Sequence, residues 1–394
     1  MITNGPRSDG RWRSLRRRSI VGVLTLATLA GFGVTACAPP PPPPPPPQPP
    51  ACNEPVCPLA EAARARGVRV GTAVRNGELT SNPAYADAVR RHFTSVTTEN
   101  ALKLSVVRPS PTTWNWAPAD EIVDFADANG LDVRGHTLAW VNESGSQNGL
   151  PQWMRDLTDP VAFRTAVFES VDEVVGRYRG RVDRWDVVNE AFEYPLGLLA
   201  PSAFDRLGPD YIAELFTAAH AADPDASLWL NEVFTELFPG KADALVQLVA
   251  SLRQRGVPIH GVGLQTHMTL SPAAPNPGSI SGLVTRLRNL GVDVAITELD
   301  VPLGPARTEQ AQVAIYRQVA TECLVAGCSE ITVWGVGDGF TTLDSDGQRA
   351  NNPFLSAFFS LPSKPLLLDT NLQPKAAYAA VVETIQSTPP PPSP

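Results

Sequence analysis

Histidine and cysteine are scarce in this chain, five of each among 394 residues. No two histidines stand at His-x-x-x-His spacing, and none sits beside a cysteine pair where zinc ligands are found. Neither a metal site nor a cofactor is therefore expected. No glycine-rich phosphate loop follows the first apolar segment, since Gly71-Thr-Ala-Val-Arg75 is not a dinucleotide fingerprint. Positive charge is outweighed in the body of the chain. Residues 1–36 hold six arginines against Asp9, a local +5, and taking that from the whole-chain −8 leaves −13 for the remainder. A body this acidic excludes nucleic acid and other polyanions as partners.

The basic start leads into an apolar run, residues 20–36, and then Cys37. That order of charged, apolar and small residues is the layout of a signal peptide, here 1–36. Val34-Thr-Ala-Cys37 is also similar to a bacterial lipobox, in which cleavage leaves Cys37 to carry lipid. A membrane partner through a lipid anchor follows, on the outer face of the cell membrane. The alternatives are a freely secreted protein, or a retained anchor at the short limit for spanning. Arg17-Arg18 also permits twin-arginine export. With Cys37 lipidated, the other cysteines form two close pairs, Cys52/Cys57 and Cys323/Cys328. Export permits disulfides, and two local bridges are expected. Residues 39–50 are proline but for Gln48. As polyproline II they reach on the order of 35 Å, so 37–57 reads as a tether. The proline-rich end, 388–394, reads as a disordered tail.

From residue 58 to 387, short apolar segments alternate with helical ones eight times. Strands are expected at 68–74, 93–97, 133–140, 182–188, 227–231, 261–265, 292–297 and 331–335. They are rich in Val and Ile and mostly not alternating, as in parallel strands covered on both faces. Asp159-Pro160 supplies an N-cap and a first-turn proline, followed by Phe163, Val167, Val171, Val174, Val175 and Tyr178 along one helical face. Thr308 caps a similar segment carrying Val313, Tyr316, Val319 and Cys323. The expected fold is one α/β domain, a closed (β/α)8 barrel, with a doubly wound open sheet as the alternative.

In such a barrel, active groups gather where strands end. Polar residues stand there: Glu99, Asn100 and Lys103; His136 and Trp140; Asn189 and Glu190; Asn231; Gln265 and His267; Glu298 and Asp300; Trp334 and Asp338. Any one of them alone reads as a cap or a core hydrogen bond. Glu190 and Glu298 stand apart, each at the end of an apolar strand in a matching context. Two such carboxylates are what glycosidic cleavage needs, one a protonated acid beside the leaving oxygen and the other an ionised nucleophile.

Arg134-Gly-His-Thr-Leu-Ala-Trp140, Trp185-Asp-Val-Val-Asn-Glu-Ala-Phe192, Gly263-Leu-Gln-Thr-His267, Ala295-Ile-Thr-Glu-Leu-Asp300 and Ile331-Thr-Val-Trp-Gly335 resemble, in order, family 10 glycoside hydrolases. These are retaining endo-β-1,4-xylanases with a (β/α)8 barrel, and the likeness spans about residues 59–382. It implies Glu190 as general acid/base and Glu298 as nucleophile, with His267 (Gln265 nearby) as its partner. Asn189 would meet the sugar 2-hydroxyl, and Asn231 belongs to the same substrate-binding set. Glu99, Asn100 and Lys103 would bind the next sugar toward the non-reducing end, while His136, Trp140 and Trp334 line the cleavage site. Retention implies carboxyl groups about 5–5.5 Å apart. The implied partner is a polysaccharide or oligosaccharide, acted on by a monomer.

The chain departs from the family pattern at several subsites. Val141 and Glu143 replace a histidine and a glutamine, Glu232-Val233 replaces Asp-Tyr, Leu104 replaces a tryptophan, and Thr342 falls where a second tryptophan closes over the sugar. These changes widen the cleavage site and remove stacking area. They leave shifted specificity, toward a glucoside or decorated glycan, as one alternative and a weakly catalytic carbohydrate-binding protein as another.

Overall fold

The computed structural model describes residue 54 and residues 56–141, 149–346, 349, 353–359 and 361–389. The leader 1–36, Cys37, the proline stretch, Cys52, Glu143 and the last five residues lie outside the described residues. Among the described residues, no helix is long and apolar enough to cross a membrane.

Eight parallel strands close into one barrel in sequence order: β1 (Arg69–Ala73), β2 (Ser95–Thr97), β3 (Asp132–Trp140), β4 (Arg184–Asn189), β5 (Ser227–Glu232), β6 (Gly261–Leu264), β7 (Asp293–Leu299) and β8 (Glu330–Val333). The ring shuts where Val70 of β1 pairs with Ile331 of β8. An open sheet is excluded by that pairing. All eight expected strands are present, with shifted ends. Phe93 instead caps the C-terminus of the preceding helix, Pro83–His92, because its N–H returns to the Val89 carbonyl. β7 runs on through Glu298 and Leu299.

Helices fill the outer layer. In Pro160–Arg177 the Asp159 side chain accepts the Val161 N–H, and Phe163, Val167, Val171, Val174 and Val175 are buried. Burying each such side chain stabilises the fold by about 1.5–3 kcal/mol relative to exposure, so Val171→Asp would detach this helix. Thr308 caps Glu309–Ala326 by accepting the Ala311 N–H. Cys323 in the last turn of that helix and Cys328 just past it form the expected disulfide. Cys57 is also disulfide-bonded.

The lumen is charged rather than apolar. Arg134 of β3 reaches Asp186 of β4 (2.6 Å) and, across the ring, Glu330 of β8 (3.3 Å). Arg184 lies 3.5 Å from the same glutamate, and all four side chains are buried. Burial alone would raise the Glu330 carboxyl. Arg184, Arg134 and hydrogen bonds from Ser95 and Thr332 hold it instead at about 2. Trp229 fills space beside Gly261, where a Cβ would lie 2.3 Å from the indole, and its ring packs 4.6 Å from the Arg134 guanidinium. The ionic plug sits low in the barrel, beneath the strand ends that carry the polar residues.

Candidate active site

Three of the strand ends turn sharply and place polar side chains at the barrel mouth. Glu99 (φ 22°), Glu190 (φ 54°) and Thr266 (φ 61°) adopt left-handed backbone there. Bulky L-residues avoid this region, and such strain concentrates at functional positions. The Glu190 turn is held by its own N–H, which donates to the Asn231 carbonyl (2.9 Å).

The two candidate carboxylates share one amide network. Asn231 Nδ2 donates to Glu298 Oε1 (2.6 Å) and to Asn189 Oδ1 (2.8 Å). Thr297 Oγ1 donates to Asn231 Oδ1 (2.7 Å), which fixes the amide so that its nitrogen faces the glutamate. Gln265 Nε2 bridges Asn189 Oδ1 (3.1 Å) and Glu190 Oε1 (3.2 Å). Asn189 also faces Glu190 Oε1, at 3.4 Å. On its other side, Glu298 Oε2 meets His267 Nε2 (3.1 Å), whose Nδ1 meets Asp300 Oδ2 (2.6 Å). Burial would lower the imidazole, but Asp300 and Glu298 raise it well above its ordinary value. An imidazolium donating to both carboxylates follows.

The expected neighbours converge on this pair. Lys103 Nζ donates to Asn100 Oδ1 (2.8 Å), and Asn100 Nδ2 donates to Glu99 Oε1 (2.9 Å). The same ammonium stands 4.6 Å from the Trp140 ring centroid. Burial lowers Lys103, while the charges of Glu298, Glu99 and Glu190 pull it back up. His136 is held through Nδ1 by Asp186 (2.9 Å) and packs edge-on to Trp334, with centroids 5.3 Å apart. Trp334 meets His267 in the same way at 6.1 Å. The indole thus forms a wall between the two histidines.

Asp338 does not join them. It accepts the Leu366 N–H (2.8 Å) and pairs with Lys375 (2.9 Å), anchoring the C-terminal segment. Three features escaped the sequence reading. Arg75, after β1, donates to Glu99 Oε2 (3.1 Å). Glu232 forms a buried pair with Lys241 (2.8 Å). Glu236 is buried with neither carboxyl oxygen partnered among the described residues. Of the departures from the family pattern, Val141, Leu104 and Val233 are buried. Among the departures that are described, Thr342 alone remains partly open.

Residues 58–384 match the profile of glycosyl hydrolase family 10. The chain belongs to this family. Among family 10 relatives, a β-1,4-xylanase of Dictyoglomus thermophilum is 37% identical over 320 residues, covering 76% of this chain and 84% of its own. An endo-1,4-β-xylanase B of Paenibacillus barcinonensis is 33% identical, with 82% and 98% covered. Among solved structures, xylanase 10B of Thermotoga petrophila in complex with xylobiose superposes with a TM-score of 0.73 at 30% identity, covering 83% of this chain and 97% of that one. Family 10 membership makes the chain a glycoside hydrolase, and two carboxylates above a closed barrel are the groups that chemistry needs.

Proposed function

We propose that this chain is an endo-β-1,4-xylanase that cleaves internal linkages of xylan with retention, Glu298 acting as nucleophile and Glu190 as acid/base. The observation that carries this reading is the bridge through Asn231, Asn189 and Gln265, which ties both carboxylates to one rigid set of amides. A Glu298 oxygen attacks the anomeric carbon while Glu190 passes its proton to the departing glycosidic oxygen. The C–O bond breaks and a glycosyl ester of Glu298 forms. Glu190 then takes a proton from water, whose oxygen displaces Glu298. His267, braced by Asp300, and Asn231 each donate to one Glu298 oxygen and so meet the negative charge it regains.

In this reading Asn189 faces the sugar 2-hydroxyl, and Glu99, Asn100 and Lys103 hold the next sugar on the non-reducing side. His136, Trp140 and Trp334 shape the cleavage site. The xylanase names of the relatives support the polymer. Thr342 in place of a closing tryptophan supports a roomier pocket, and comparable turnover of aryl xyloside and aryl glucoside is expected.

Reducing-sugar release from xylan, arabinoxylan, glucuronoxylan and soluble cellulose tests the main proposal, with Glu298→Ala as control. Release from xylan that the variant loses, with the β-anomer appearing first by NMR, is the expected result. Silence on every polymer would overturn it. The order of basic, apolar and cysteine residues before the proline tether also supports export and a lipid on Cys37. Metabolic labelling with a radioactive fatty acid should mark the wild type and not Cys37→Ala. Label retained in that variant would refute the anchor.

A further inference from the structure

The buried pair Glu232–Lys241 has no part in the chemistry above, and it lies directly behind the turn that carries Glu190. Both side chains are fully enclosed, at 0% exposure. At 2.8 Å the ammonium pairs with Oε1 by charge, without the alignment of a directed hydrogen bond. Oε1 also accepts the Val233 N–H (3.0 Å), and Oε2 accepts the N–H of Phe192 (3.2 Å), two residues after Glu190. One residue before Glu232, the Asn231 carbonyl holds the Glu190 N–H. Consecutive residues at the end of β5 therefore clamp both sides of the Glu190 turn.

The loop beyond that turn is clamped to the same helix. Phe192 bridges to Leu199, closing the segment back on itself. At its tip a Cβ on Gly197 would lie 2.8 Å from the Lys241 Cα. The chain thus rests on the first turn of helix Pro239–Gln254, and the Lys241 ammonium stands 5.7 Å from the Tyr194 ring. A buried ion pair is a poor source of stability, because desolvation offsets the attraction. This one makes sense as a geometric device. Lys241 locks the Glu232 rotamer, and Glu232 in turn supplies the acceptor that the strained loop backbone needs.

We propose that Glu232 and Lys241 are positioning residues for the acid/base group, fixing the Glu190 turn against β5 so that its carboxyl meets the glycosidic oxygen. The proposal rests on the reading of Glu190 given above. Misplacing a proton donor by about 1 Å can cost on the order of 100-fold where a proton must be delivered. A leaving group that departs unaided should not feel the change.

The test compares xylotetraose, whose leaving group needs a proton, with 2,4-dinitrophenyl β-xylobioside, whose leaving group does not. In Glu232→Gln, kcat/KM on xylotetraose should fall about 10- to 100-fold while that on the aryl substrate stays within about threefold. Azide, which needs no general base, should accelerate turnover of the aryl substrate. Where the lone Lys241 charge prevents folding, the double variant Glu232→Gln/Lys241→Met carries the same comparison. Equal losses on the two substrates, or none on either, would overturn the proposal by making the pair purely structural or dispensable. Glu190→Ala runs in parallel and should show the same split in full. If Glu190→Ala fails to split the substrates, the acid/base reading itself is at fault, whatever the Glu232 variant does.

Discussion

Glu236→Gln gives the sharpest test of the electrostatics beneath the active site. Glu236 is 4% exposed and, among the described residues, neither carboxyl oxygen has a partner beyond its own backbone N–H. Burial pushes its carboxyl up to about 7 from an ordinary 4.5, against its own backbone N–H and the more distant His267 and Lys241. A folded value above the unfolded one means the fold favours the protonated form. The contribution of this group is complete below pH 4.5 and is lost as pH rises through 7. At about 1.4 kcal/mol per unit, the loss amounts to about 3 kcal/mol by pH 8. An amide of the same shape has no proton to lose. Taking about 2 °C per kcal/mol for a domain of this size, the melting temperature of Glu236→Gln minus that of wild type should grow by about 6 °C between pH 4 and pH 8. Glu232, also raised to about 7, titrates in both proteins and cancels in the difference. Differential scanning calorimetry across that range supplies the measurement. Parallel curves would refute the reasoning, because they would mean that this carboxyl finds water or a partner when ionised.

Other perturbations report on other layers. Glu330 is held at about 2, below an ordinary 4.5, so its stabilising effect persists above pH 4.5 and disappears as pH falls toward 2. Glu330→Gln leaves Arg134 and Arg184 short of a counter-charge and should cost about 3–5 kcal/mol at pH 7. It should also flatten acid unfolding between pH 4.5 and 2, both read by denaturant titration. Replacing Cys323 and Cys328 together by alanine opens a short loop far from the candidate carboxylates. It should cost about 2 kcal/mol of stability with kcat/KM on xylan unchanged, and loss of activity would tie this loop to the site.

The barrel was legible because its outer positions are apolar in the runs that parallel strands require, and Asp159 and Thr308 punctuate the helices where capping chemistry predicts. Strand ends were less legible. Phe93 reads as strand by type, yet its N–H completes the preceding helix. Glu190, Glu298, His267, Asn189 and Asn231 could be named as a group because each follows an apolar run and is polar out of turn. Asp338 satisfied the same rule and proved to be an anchor for the C-terminal segment, since the rule marks strand ends and not what they face. Lys241 and Glu236 left no such mark. In Leu237-Phe-Pro-Gly-Lys241-Ala, a lysine in the first turn of a helix reads as solvent-exposed, and only the closing of the neighbouring loop at Gly197 buries it. Arg75 was hidden similarly, its partner Glu99 lying beyond a whole helical excursion.

The ionic plug in the lumen has a thermal consequence. A barrel filled with valine and isoleucine would expose mainly apolar surface on unfolding and so curve its stability steeply with temperature. Arg134, Arg184, Asp186 and Glu330 instead return charged surface to water, which lowers the heat capacity change and flattens that curve. Ion hydration also weakens on heating, so the cost of keeping these four groups dry shrinks as the temperature rises. The part of this molecule that looks least like a conventional core is therefore the part that loses least on warming.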